Sequence, residues 1–314
     1  MKINTEHTPS PYNLPAGLTV FERGWLSSNN ILIAGKEHTA LIDSGYCTHA
    51  EQTLALLRTA LGNRSLDLLV NTHLHSDHCG GNALLQSHFP RVQIHIPPGQ
   101  AESVRTWDLD ALTYAPTGQN CPRYIYHQTL CPGMNLQLGD LTWQVHASPG
   151  HDPHSVIFFE PSSKTLISAD ALWERGFGVI FPELDGNDAF EEASTTLDLI
   201  ESLQPTIVIP GHGAPFTNVR TAMAYARERL NLFVQNPNKH MQYAAKVLLK
   251  FKLLESQSIK IEDLETWVQN TPYLSQILAK HLGEKDPIVL TRLLIDALIK
   301  SKVARLCESQ LHNI

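Results

Sequence analysis

Through the first two thirds of the chain the apolar and polar positions repeat one rhythm. A short β-branched run gives way to a turn rich in Gly, Asp or Pro, and then to a stretch with apolar residues at helical spacing. That rhythm predicts an α/β fold. Strands are predicted over Asn30–Ala34, Thr39–Ile42, Leu66–Asn71, Val92–Ile96, Trp143–Ala147, Val156–Glu160, Thr165–Ser168 and Ile207–Ile209. Helices are predicted over Thr48–Leu61, Asn82–Phe89 and Asp188–Leu203, the last stopped by Pro205. Pro97, Pro98, Pro116 and Pro122 break up any continuous element between them, which makes that stretch a candidate lid. After Gly213 the texture changes to helical periodicity with little glycine and almost no strand signal. A domain boundary is therefore expected near residue 218, giving units 1–218 and 219–314. The second unit carries an amphipathic segment over Ile261–Leu282 and a helix-like run over Pro287–Ala304. Helix, turn, helix is how a winged-helix module begins, and simple helical packing gives the same pattern.

Composition narrows the class without naming a function. With 314 residues, 42% hydrophobic and 18% charged, the chain reads as an ordinary globular protein and not as a disordered or fibrous one. The N-terminal MKINTEHTPSPYNLP has no apolar signal core, and no run approaches the roughly 18 apolar residues of a membrane span, so a cytoplasmic protein is expected. Cys47, Cys79, Cys121, Cys131 and Cys307 show no CxxC spacing, which fits free thiols in a reducing compartment. Charge is segregated: residues 1–214 hold 10 Lys and Arg against 22 Asp and Glu, whereas 215–314 hold 14 against 9. An acidic front part repels a polyanion and a basic tail attracts one, so charge leaves a nucleic-acid role open.

Histidine carries the chemistry. Thr72-His73-Leu74-His75-Ser76-Asp77-His78 follows the apolar run LDLLV, placing four metal-ligand residues within six positions of one loop. Imidazoles at i and i+2 can share one side of such a loop while the Asp and the next His turn to a second point. Ser148-Pro149-Gly150-His151, Ser168-Ala169-Asp170 and Pro210-Gly211-His212-Gly213 each follow a predicted strand, and strand ends gather at one sheet edge. Seven ligands suffice for two metals with a shared carboxylate and water. Imidazole and carboxylate suit zinc, with iron and manganese as alternatives.

These four motifs, in this order, resemble the metallo-β-lactamase superfamily over about residues 18–214, and within it the glyoxalase II-like branch, where an Asp such as Asp170 stands in place of a Cys ligand. The resemblance implies an αββα sandwich. It implies a first metal on His73, His75 and His151, a second on Asp77, His78 and His212, and Asp170 on both. Asp43, in Leu41-Ile42-Asp43-Ser44-Gly45, matches an acidic position that supports the ligand loop. His154 and Cys79 are expected not to be ligands.

Two cations a few ångströms apart can share a hydroxide at neutral pH, which needs no Ser or Cys nucleophile. Asp77 is the candidate to orient it or relay its proton. The substrate expected is a thioester or small acyl ester, with a lactone as alternative. The resemblance to the glyoxalase II-like branch, which holds glutathione with basic residues of a helical C-terminal domain, makes Arg227 and Arg229 candidates for that role, or else they are solvated helix charges. A ribonuclease or phosphodiesterase using the basic tail is the reading from another class; no motif interleaving aromatics with Lys and Arg supports it. The resemblance also implies a test of a redox role: the diiron oxidoreductases of the superfamily usually carry Glu in place of the second His of the motif, and His75 is intact. Trp25, Trp107, Trp173, Phe177 and Phe181 flank the candidate loops, with core packing as their default reading. Oligomerisation through the tail is left open, and the substrate-binding residues are not identified by sequence.

Overall fold

The structure, a computed structural model, describes residues 12–278 and 286–314. The N-terminal segment read for a signal core and the end of the Ile261–Leu282 segment lie outside them in part. Six strands form the first sheet in sequence order: β1 (Leu18–Phe21), β2 (Asn30–Ala34), β3 (Thr39–Ile42), β4 (Leu68–Val70), β5 (Gln93–Ile96) and β6 (Gln128–Thr129). β1 to β3 pair antiparallel and β3 to β6 parallel. The parallel steps need crossovers. Helix α1 (Ala50–Leu61) provides one, and α2 (Ser76–Cys79) with α3 (Asn82–His88) the next. The candidate lid contains two short helices, α4 (Ala101–Thr106) and α5 (Tyr114–Thr117), in keeping with its prolines.

The second sheet runs β7 (Asn135–Leu138), β8 (Leu141–Ala147), β9 (Val156–Glu160), β10 (Thr165–Ala169) and β11 (Ile207–Pro210). Its inner face meets that of the first sheet in a core holding Ile31, Ile42, Val70, Trp143, Val145, Phe158 and Ile209. The outer face of the first sheet packs on α1 and α3 through Leu41, Leu57, Leu69 and Leu85. On the far side α6 (Phe181–Leu184) precedes α7 (Phe190–Leu203), and α7 and α8 (Val219–Gln235) cover the second sheet through Leu197, Ile200, Ala222 and Leu230. The result is the four-layer αββα sandwich. Strands buried on both faces, such as β9 and β10, account for the continuous apolar runs VIFF and TLI.

Beyond α8 the chain is mostly helical, with α9 (Pro237–Ser256), α10 (Ile261–Asn270), a π-helical turn at Tyr273–Leu278 and α11 (Pro287–Lys300). Three strands that the sequence reading missed join them: β12 (Ser258–Lys260), β13 (Ala304–Cys307) and β14 (Gln310–Asn313), ordered β12-β14-β13 and antiparallel. The sequence carries almost no signal for these strands, and the run predicted as helix to Ala304 ends at Lys300. Helix, strand, two helices and a hairpin is the element order of a winged helix. No described helix is long and apolar enough to cross a membrane.

Candidate metal centre and catalytic cleft

β8, β10 and β11 run the same way, because β9 is antiparallel to both β8 and β10 while β10 and β11 are parallel. Their C-terminal ends therefore open on one edge, and each releases a motif there: His151 after β8, Asp170 after β10, His212 after β11. From the first sheet β4 releases the loop of His73, His75, Asp77 and His78, and β3 releases Asp43. A break in register between Ile167 and Ala169, with Ala169 at φ 45°, ends β10 just before Asp170.

The seven side chains converge. His73 Nε2 lies 3.1 Å from His75 Nδ1 and 3.3 Å from His151 Nε2. Imidazole nitrogens so placed turn lone pairs on one another unless a proton or a cation lies between them. A tetrahedral site with bonds of ~2.0–2.1 Å has donor-to-donor edges of about 3.3 Å, so the spacing fits a shared cation. On the other side His212 Nε2 is 3.1 Å and His78 Nε2 3.9 Å from Asp77 Oδ2. These two trios, His73-His75-His151 and Asp77-His78-His212, are both groups able to hold a metal ion. Asp170 stands between them, 3.5 Å from both His78 Nε2 and His151 Nε2 and 3.8 Å from His212 Nε2. His78 Nε2 is buried with no hydrogen-bond partner among the described residues, an atom whose remaining use is to bind something in the cluster. Gly211 is required beside it, since a Cβ there would meet Asp170 Oδ1 at 2.1 Å.

The outward ring nitrogens are held by the protein. His151 Nδ1 donates to Val179 O and His212 Nδ1 to Gly24 O, at 2.5 and 3.1 Å. His78 Nδ1 donates to Asp43 Oδ2 at 2.8 Å, while the Thr72 N–H and hydroxyl donate to Oδ1 and Oδ2 of the same carboxylate. Asp43 sits at φ 58°, a strained conformation for a residue with a Cβ, and these three bonds hold it there. Each of these three imidazoles is thereby fixed in the tautomer that presents its other nitrogen inward.

Electrostatically the trios differ. Burial drives His73 well down and His75 to about 4, helped by the neighbouring imidazoles, so both are neutral donors at pH 7. Burial also opposes charge on His78 and His212, but Asp170 with Asp43 and Asp77 outweighs it for His78, and Asp170 with Asp77 for His212, raising both. The carboxylates answer in kind: against burial, His78 and His212 hold Asp77 down, and the same rings with His151 hold Asp170 well down.

A cavity of about 110 Å³ opens onto this cluster. Trp25, Trp173, Phe181, Tyr243 and Phe251 contribute walls, α5 and its neighbours add Thr113, Thr117 and Gln119, and no Lys or Arg among the described residues lines it. Trp25 stacks on His212 with 10° between the planes, and Phe181 packs edge-on to His75. Three of the aromatics read by default as core are thus wall residues. Phe177 and Trp107 do pack in cores. Arg227 is paired with Asp198 and Glu201 at 2.7 and 2.6 Å, and Arg229 lies over the Tyr243 ring at 4.2 Å, so neither reaches the cavity. His154 is half-buried behind Gly99, and the buried Cys79 thiol faces the Tyr114 hydroxyl at 3.1 Å. The sequence reading missed Asn29, whose backbone and side-chain N–H groups donate to Gly211, Pro210 and Gly213 and so hold the His212 loop.

The sandwich, the strand-end cluster and residues 23–212, which match the metallo-beta-lactamase superfamily, place the chain in that superfamily: it is one of its metal-dependent hydrolases. The chain is similar to a probable hydroxyacylglutathione hydrolase of Schizosaccharomyces pombe, 25% identical over 242 residues, 75% of this chain and 79% of the relative. It is also similar to the hydroxyacylglutathione hydrolase of Yersinia enterocolitica, 26% identical over 192 residues, and spans 64% of that protein's length. In fold, a metallo-beta-lactamase family protein of Thermus thermophilus superposes with a TM-score of 0.58 over 95% of this chain and 99% of its own, at 16% identity.

Proposed function

We propose that this protein hydrolyses a thioester or small acyl ester, adding water across the acyl bond to give a carboxylic acid and a thiol or alcohol. The observation that carries the reading is the cavity over the ligand cluster, whose lining beyond the cluster is aromatic, aliphatic and neutral polar and contains no Lys or Arg among the described residues. A phosphodiester chain binds chiefly through cationic side chains, and this lining offers none. A neutral carbonyl compound needs none, and a cyclic ester would be accommodated on the same terms. On the proposed winged helix, α11 turns Ile288, Val289 and Leu293 to solvent beside the exposed Arg292.

His73, His75 and His151 would hold one cation, Asp77, His78 and His212 the other, and Asp170 both. Zinc suits this nitrogen and oxygen set, with iron and manganese the alternatives. Bound there, two divalent cations supply Lewis acidity and bring the pKa of a water molecule to about 7. Asp43 keeps the ligand loop in register, Asp77 is placed to orient the attacking water and take its proton, and the ring wall of Trp25, Trp173 and Phe181 excludes bulk solvent. The division into units 1–218 and 219–314 is part of the proposal, and the run of helices that begins with α8 at Val219 supports it. A reducing, cytoplasmic setting is supported by the five free cysteines.

The test is turnover by the zinc-loaded protein of a neutral thioester, an S-acyl glutathione, a lactone and bis(p-nitrophenyl) phosphate. We expect acyl substrates to exceed the phosphodiester in kcat/KM by at least about 100-fold. Phosphodiester turnover without acyl turnover would refute the reading.

A further inference from the structure

The cavity does not stop at the ligand cluster. Trp25, Tyr243, Val247 and Phe251 belong both to its wall and to a second cavity of about 280 Å³ that continues outward between Trp25 and α9. Beyond the shared residues this groove is walled by Leu254, Leu298 and Val303.

Helix α9 explains how the groove arises. Met241, Ala244, Ala245, Leu248, Leu249 and Leu253 are buried and face the core of the C-terminal helices. Tyr243, Val247, Phe251 and Leu254 recur at helical spacing as a second apolar stripe, and each is only half-buried. Opposite that stripe lies Trp25, 57% exposed although one face of its indole covers a ligand ring. An apolar stripe and an exposed Trp facing each other across a groove that opens onto reacting groups leave apolar surface wet, and an apolar ligand would cover it.

Two lysines border the groove, and one of them is tied back. Lys250 Nζ donates to Val303 O at 2.6 Å and to Asn313 Oδ1 at 2.5 Å, so its head is tied to the C-terminal strand and its methylene stem lines the groove. Among the described residues that line it, Lys246 and Lys250 are the cations, the head of Lys250 being held by neutral oxygens, and none is acidic.

Resting on the hydrolase reading above, we propose that this groove receives the non-reacting arm of the substrate, and that the arm is an uncharged aliphatic chain. The ester or thioester carbonyl then sits in the small cavity at the ligand cluster while the chain extends along Val247, Phe251 and Leu254. Specificity resides in α9, outside the four ligand motifs.

Two measurements test this. The first is kcat/KM of the zinc-loaded protein for N-acetylcysteamine thioesters from acetyl to octanoyl, and for an S-acyl glutathione. We expect octanoyl to exceed acetyl by at least about tenfold, and Leu254→Asp to collapse that ratio several-fold, with Leu254→Ala giving a smaller change should the Asp variant fold poorly. A flat profile overturns the inference. So does a preference for the glutathione thioester that Lys246→Gln abolishes, since the arm would then be anionic. The second measurement is independent of turnover: binding of N-octylacetamide and N-ethylacetamide to the metal-free protein by tryptophan fluorescence, with Trp25→Phe as the control. Tighter binding of the octyl amide by more than about tenfold, weakened by Leu254→Asp, supports the groove; equal affinities overturn it. Octyl binding without any acyl turnover would sink the hydrolytic reading and leave the groove standing, whereas short-chain turnover with equal affinities would do the reverse.

Discussion

Asp43 shows how much of a reaction centre is decided one bond away from it. Its carboxylate accepts from the Thr72 N–H, the Thr72 hydroxyl and His78 Nδ1, so removing it frees the loop and a ring together. Asp43→Ala should weaken metal binding by about 10–100-fold, read by competition with a chelator, and most at the Asp77-His78-His212 group. Unchanged affinity at both sites would show that the loop holds its shape without this carboxylate. Its role was legible because an acidic residue after an apolar strand and before Ser44-Gly45 matched a known position. The carbonyls of Val179 and Gly24, which orient His151 and His212, were not legible, since a backbone oxygen leaves no mark on the residue type that carries it.

At the level of elements, α9 does more than wall the cleft. His240, near its start, is buried, and its Nε2 accepts from the Ile180 N–H at 3.2 Å, one residue past the carbonyl that orients His151. Burial, with Arg229 nearby, lowers this imidazole to about 4. The unfolded chain, titrating near 6.5, takes up the proton first as pH falls. The stability that a neutral His240 contributes is therefore whole above about pH 6.5 and is lost as the pH drops toward 4. Denaturation midpoints of wild type and His240→Gln should diverge over that window, wild type losing more; parallel curves would contradict it. The larger strands were readable because β2, β3, β9 and β10 are unbroken apolar runs between turns. β12, β13 and β14 were not, since each has only three or four residues, and only Ala304 and Leu311 turn fully inward. The second stripe of α9 was present in the sequence at its i, i+4, i+8 spacing, but a pattern cannot say whether an apolar face meets a core or a groove.

For the whole molecule, the two sheets bring to one edge seven side chains able to bind metal, scattered from residue 73 to residue 212, and the order of motifs along the chain made their convergence readable before the fold was known. What the motifs leave open is the substrate, because the cleft is closed by residues far from them: Trp25 before the first motif, and Tyr243, Val247 and Phe251 after the last. The charge segregation seen in the sequence does not reach the cavity at the cluster, which no Lys or Arg among the described residues lines, and meets only the outer groove, through Lys246 and Lys250. Everything proposed for the reaction rests on Asp170 joining two metal sites. Metal content by inductively coupled plasma mass spectrometry, after loading and gel filtration, tests this most directly. Wild type should retain about two equivalents, His212→Ala about one, and Asp170→Ala less than about one, because its carboxylate serves both trios. Two full equivalents retained by Asp170→Ala would contradict the account.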